Sequence, residues 1–227
     1  MSLQINGYRR IIKWAIWSVV GILFLVFFIR VATFESSYYS EKDGSEREIV
    51  ETESQEELIE EEPTKEEKNE YTVAPDRPRY LSIEKIGADK ARVLSMGINE
   101  KGELGTPNNI FDVGWYVDSG KPGEGGTMVI DGHNGGPHVH GIFKKLPELK
   151  EGDIIKIERG DGKVFKYKVV ENKEVSLEDS NAYMTVASMS PTPGVESLTL
   201  ISCTGEWSDQ QKTYLSRQFT RAIIVNE

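Results

Sequence analysis

The sequence predicts a mostly β protein, an all-β barrel or sandwich preceded by one transmembrane helix and a disordered acidic linker. Three observations predict it. An apolar run broken only by Ser18 covers residues 14–29, a glutamate-dominated stretch continues to about residue 74, and from Arg79 onward short apolar segments alternate with Gly, Pro, Asn and Asp. The 227 residues, 38% of them hydrophobic, suit one domain of ordinary size with accessory segments.

The run WAIWSVVGILFLVFFI, Trp14 to Ile29, is apolar apart from Ser18. With Lys13 and Arg30 snorkelling at its ends it reaches the ~20 residues a bilayer needs, so residues 14–34 are assigned as the membrane anchor. Arg9, Arg10 and Lys13 lie before it and acidic residues after it. The positive-inside preference therefore places residues 1–13 in the cytoplasm and the rest outside, a single-pass protein of the cell membrane. A cleaved signal peptide fits less well, because the run exceeds the usual ~7–15-residue apolar region and ends without a small-x-small site. Residues 35–74, with phrases such as SQEELIEEEPTKEEKNE, bury too little apolar surface to offset ordering entropy and are expected to form a disordered stalk.

Residues 75–227 carry eight candidate strands: Tyr80–Ile83, Ala91–Gly97, Val113–Tyr116, Thr127–Asp131, Asp153–Glu158, Lys163–Val170, Leu198–Cys203 and Thr220–Val225. The clearest pair flanks Asp161-Gly162, which can supply the positive φ angles of a tight turn, and Phe165, Tyr167 and Val169 alternate as a buried face should. Helical signals are short. They are Gly141-IFKKLPELK and Ser180-NAYMTVASM, the second opening on capping residues.

A net charge of −10 argues against nucleic-acid binding, which needs a basic face. The one cysteine, Cys203, cannot form an internal disulfide. In SLTLISC, period-two alternation puts Thr199, Ile201 and Cys203 on one face and ends the strand at the thiol, beside the polar stretch Thr204-GEWSDQQK. A nucleophilic thiol needs a nearby cation or base. His133 meets that need, because it follows the apolar strand Thr127-MVI in Asp131-GHNGG, and imidazole is suited to protonating a leaving amine. Arg221 begins Arg221-AIIV, sharing a face with Ile223 and Val225, and its five donors suit it to hold a carbonyl or an oxyanion. Arg217 is the competitor, placed by this reading in the preceding loop.

These residues stand in the phrases PGEGGTMVIDGHN, GIFKKLPELKEGDIIKI, LTLISC and TRAIIV, and in that order the chain resembles the bacterial sortases over most of Arg79–Val225. The resemblance implies an eight-stranded sortase β-barrel with short helices and a cysteine transpeptidase; the sequence indicates no cofactor. It implies Cys203 as nucleophile, His133 as histidine and Arg221 as transition-state arginine. The implied partners are secreted proteins with a C-terminal LPxTG-like sorting signal and an acceptor amine on a cell-wall precursor or a pilin, in a Gram-positive cell envelope. The wording around Gly114-WYVDSG and the PGE loop is closer to the class E and F groups than to class B. Asp131 stands where a small residue is more usual in that family, and Ile201-Ser202-Cys203 replaces a Thr-x-Thr-Cys-like phrase. Three other readings compete with this one. His133, His138 and His140 could serve a metal-dependent hydrolase, or a buried, inert Cys203 could belong to a non-catalytic surface binding module. An L,D-transpeptidase would also use cysteine and histidine, but its Ser-x-Gly-Cys-x-Arg wording is absent, since Ser202 precedes Cys203 directly and Thr204-Gly205 follows.

Overall fold

The computed structural model describes residues 58–98, 104–136 and 138–225. The expected anchor and most of the expected stalk lie outside the described residues, among which no helix is long and apolar enough to cross a membrane.

Eight strands close into a barrel in the order β1-β2-β3-β4-β7-β8-β6-β5. They are β1 (Pro78–Ile83), β2 (Ala88–Met96), β3 (Val113–Tyr116), β4 (Thr127–Gly132), β5 (Ile154–Arg159), β6 (Val164–Ser176), β7 (Ser197–Ser208) and β8 (Thr213–Val225). Pairs β2/β3 and β4/β7 are parallel and the remaining pairs antiparallel. Alternation delivers one side chain in two to the interior, where Leu81, Val93, Trp115, Ile130, Tyr167 and Leu200 are sealed from solvent. Each such aliphatic side chain stabilises the fold by about 1.5–3 kcal/mol, more than a typical exposed ion pair. Arg159 and Lys163 close the β5–β6 turn over Asp161-Gly162, with Gly162 at φ 83°, as its sequence predicts.

Three strands run further than their apolar content suggests. β7 continues to Ser208 and β8 begins at Thr213, because the polar stretches around Trp207 and Tyr214 pair with each other as a hairpin, and β6 reaches Ser176 by pairing with the extended β8 from Thr220 back to Ser216. The Gly141-IFKKLPELK segment forms turns and one short 3-10 helix, Leu146–Glu148, interrupted by Pro147 rather than continuing as a helix. Short helix α1 (Lys65–Glu70) and helix α2 (Leu177–Ala187) complete the fold. α2 starts three residues before the expected position. Ser176 is its cap, accepting from Asp179 N, while Ser180 turns inward and donates to the Leu177 carbonyl.

The expected disordered stalk is corrected over residues 58–74, which are folded onto the barrel. Thr64 and Glu67 form a reciprocal capping box for α1. Glu60 accepts from the His138 and Val139 amides at 2.8 and 3.3 Å, Ile59 bridges to Asn109, and the Tyr71 hydroxyl donates to the Val93 carbonyl at 2.5 Å. Composition undervalued this segment because two of its acidic side chains, Glu60 and Glu67, accept from backbone N–H groups and Tyr71 packs on the barrel.

Candidate active site

The parallel pairing of β4 with β7 is what brings imidazole and thiol to one rim. The pairing ends at Asp131↔Ile201, and His133 and Cys203 each lie two residues further along their strands. Adjacent strands are about 4.8 Å apart, so the register brings the chain positions of His133 and Cys203 to the same end of the barrel. Ser202, the neighbour of Cys203, points the other way and donates to the Gly132 carbonyl at 2.9 Å, which ties the two strand ends together.

Across β7, the antiparallel partner β8 sets three residue pairs on the outer face: Thr199↔Arg221, Ile201↔Phe219 and Cys203↔Arg217. α2 lies over the first two. The Thr199 hydroxyl donates to the Ala187 carbonyl at 2.6 Å, and Arg221 Nη2 donates to the Val186 and Met189 carbonyls at 3.2 and 2.9 Å. Both side chains thus hold the carbonyl end of the helix. Phe219 and Ile201 pack against Tyr183 and Met184, with the Tyr183 and Phe219 rings edge to face at 4.9 Å. Beyond the helix, Cys203 and Arg217 are only partly buried.

Arg221 is therefore placed elsewhere than the sequence suggests. Its Nη1 pairs with Glu171 at 2.6 Å, the side chain is only 9% exposed, and along the strand it is about 13 Å from the level of Cys203. A β-bulge between Val169 and Glu171 makes this pair possible, because it turns Glu171 to the outer face after Val169 has pointed inward. Burial pushes the Glu171 carboxyl up, but hydrogen bonds from Tyr183 and Arg221 outweigh it and hold the group below its ordinary range. All this makes Arg221 a structural clamp between β6, β8 and α2. Arg217, assigned by its sequence to a loop, stands directly opposite Cys203 in a regular ladder, where facing β-carbons are about 5 Å apart. Its guanidinium donates to the Tyr214 and Ser216 carbonyls at 2.9 and 3.0 Å.

Burial raises the Cys203 thiol above its ordinary range; the positive charge of Arg217 acts against this and the carboxyl of Asp131 adds to it. His133 Nε2 lies 2.7 Å from the Pro107 carbonyl. A carbonyl only accepts, so Nε2 carries the proton. Asp131, on the outer face with Cys203, is buried and pushed up to about 7 by desolvation, with the Thr106 hydroxyl donating to its Oδ2 at 2.5 Å and opposing the rise. After Cys203 a second bulge, at Gly205-Glu206, lets the hairpin continue. Gly205 has φ 82°, and a β-carbon there would meet the Ser216 side chain at 2.9 Å.

The loop after His133 leaves His138 and His140 exposed, and among the described residues no three His, Cys, Asp or Glu side chains converge as a metal site would require. The chemistry the site offers is that of a thiol, an imidazole and a guanidinium on neighbouring strands.

A family model of the sortase domain matches residues 81–223. Solved structures similar to the chain include a sortase D5 transpeptidase of Clostridium perfringens, at 21% identity over 72% of this chain and 90% of that one, TM-score 0.47. Sortase C-1 of Actinomyces oris is 22% identical over 68% of this chain and 76% of its own, TM-score 0.49. Sortase A of Corynebacterium diphtheriae is 25% identical over 68% and 63%, TM-score 0.47. A search of curated proteins finds no match. The family match spans more than half of the sequence and contains His133, Cys203, Arg217 and Arg221, and the chain therefore belongs to the sortase family of cysteine transpeptidases.

Proposed function

We propose that the reaction is carried by Cys203, His133 and Arg217, with Arg217 in the role the sequence suggested for Arg221, and that the substrate is an LPxTG-like sorting signal of a secreted protein. The observation that carries this is the strand register, which sets Arg217 opposite Cys203 and ends the β4–β7 pairing two residues before His133 and Cys203.

The Cys203 thiolate attacks the carbonyl carbon of the Thr in the signal, forming a C–S bond while Arg217 and backbone N–H groups hold the oxyanion. His133 as imidazolium gives a proton to the departing glycine nitrogen as the C–N bond breaks. An amine on a cell-wall precursor or a pilin then attacks the thioester, regenerating the thiol and forming a new amide. Water in place of the amine gives a carboxylic acid. Residues 14–34 anchor the chain in the membrane with the barrel outside, which raises the effective concentration of membrane-confined substrates.

The test incubates the full-length chain with a panel of Leu-Pro-x-Thr-Gly peptides and follows Cys203 by mass spectrometry. A thioacyl adduct ending at Thr is expected on Cys203 and nowhere else. Cleavage that persists in Cys203→Ala would remove Cys203 from the mechanism.

A further inference from the structure

Asp131 is a buried carboxyl that the mechanism above leaves unused. It is 8% exposed, two residues before His133 and paired with Ile201, which is two residues before Cys203 on the same face. Its Oδ1 has no hydrogen-bond partner. Room for that oxygen exists because residue 114 on β3 is glycine, where a β-carbon would stand 2.5 Å from Oδ1. Its Oδ2 accepts from the Thr106 hydroxyl, and the next residue, Pro107, supplies the carbonyl that binds the His133 ring. The Thr106–Pro107 pair is thus fastened to the end of β4 twice, once through a carboxyl and once through the imidazole.

We propose that Asp131 is a positioning residue for the thiol and imidazole. Its carboxyl fixes the Thr106–Pro107 segment that orients the His133 ring, and its state of ionisation governs how readily the Cys203 thiolate forms. This rests on the reading of Cys203 and His133 as the reacting pair. The titratable and charged groups around Asp131 are Cys203 on β7, His133 beyond the end of β4 and, across Cys203, Arg217 on β8; Thr106 is its neutral partner. A neutral Asp131 keeps the Thr106 bond and leaves the thiol under the influence of Arg217. An ionised Asp131 places a second negative charge beside the thiolate and disfavours it. Its midpoint, raised by burial to about 7, puts the change within the working pH range of an envelope enzyme.

The test uses the full-length chain and its Asp131→Asn, Asp131→Ala and Thr106→Val variants. The rate of iodoacetamide attachment to Cys203, located by mass spectrometry, is measured from pH 5 to 9, and the His133 imidazole N–H proton is followed by NMR. Asn keeps an acceptor for Thr106 without the charge. Asp131→Asn is expected to lower the pH of half-maximal alkylation by about half a unit or more and to preserve the imidazole N–H signal. Asp131→Ala and Thr106→Val should weaken or abolish that signal. A role limited to stability would move the melting temperature and neither readout. Superposed alkylation curves for wild type and Asp131→Asn would overturn the proposal, as would an unchanged N–H signal in Thr106→Val. If alkylation of Cys203 leaves transpeptidation intact, the assignment of the nucleophile fails instead, an outcome read in a separate assay.

Discussion

Replacing each of the two arginines of β8 by alanine separates stability from chemistry. Arg221 loses three partners in Arg221→Ala: the Glu171 carboxylate and the carbonyls of Val186 and Met189. Removing one member of a buried pair costs about 3–5 kcal/mol. Glu171 is 34% exposed and keeps the Tyr183 hydroxyl at 2.7 Å, so water and tyrosine recover part of this, and about 2–3 kcal/mol is expected. For a domain of this size that lowers the melting temperature by roughly 5–10 °C. Arg217 donates to carbonyls near the surface and should cost less than about 1 kcal/mol when truncated. Its loss should instead reduce thioacyl formation about 100-fold or more, the scale of removing one oxyanion donor. Urea titration and single-turnover thioacylation on both variants check this. An Arg221→Ala protein as stable as wild type but inactive, beside an active Arg217→Ala protein, would refute the assignment.

Three further outcomes are expected. The Asp131 carboxyl is raised by burial from 3.8 to about 7, so the folded state binds the extra proton between those values and stability falls as pH rises through them. Asp131→Asn should therefore gain stability over wild type, by up to about 4 kcal/mol at pH 8 and little at pH 4, as urea midpoints at the two pH values will show. Glu196 accepts from the Gly123 and Gly125 amides at 2.9 Å each and from the Tyr167 hydroxyl at 2.6 Å; Glu196→Ala should destabilise by about 2–3 kcal/mol and increase amide exchange in the loop before β4. Glu60→Ala should speed hydrogen exchange at the His138 and Val139 amides several-fold and sensitise residues 58–64 to limited proteolysis, with the barrel's melting temperature lowered by only a few degrees.

The barrel was legible because its interior strands carry the alternation of buried and exposed positions; all eight appear where expected, but β6, β7 and β8 extend well beyond their apolar cores, to Ser176, to Ser208 and from Thr213. His133 was legible as following a strand end because an apolar run stops there; Cys203 was expected to end its strand too, but β7 runs on to Ser208, since the polar residues after the thiol are held by backbone pairing with β8. Arg217 was not, since Thr204–Ser216 reads as a polar loop; the β7–β8 ladder there is held by backbone pairing and by the Trp207–Tyr214 ring contact at 5.3 Å rather than by apolar burial. Counting outward from the polar turn Asp209–Lys212 sets Gln218 opposite Cys203; only the bulge at Gly205-Glu206 shifts the register so that Arg217 stands there. Arg221 misled because a charged residue on a buried face needs a partner, and that partner, Glu171, reaches the face only through a bulge that leaves no mark in composition. The folded segment 58–74 was hidden in the same way, its order depending on specific backbone acceptors and donors that charge density does not reveal.

The parallel union of β4 and β7 also makes the meeting of thiol and imidazole a property of tertiary structure alone. Gly132 and Ser202 stand 70 positions apart in sequence, so their contact closes a long loop. A parallel pair cannot be made by a tight hairpin and needs a crossover through other elements, here including β5, β6 and α2. No isolated segment of the chain therefore brings His133 and Cys203 to one end of a sheet.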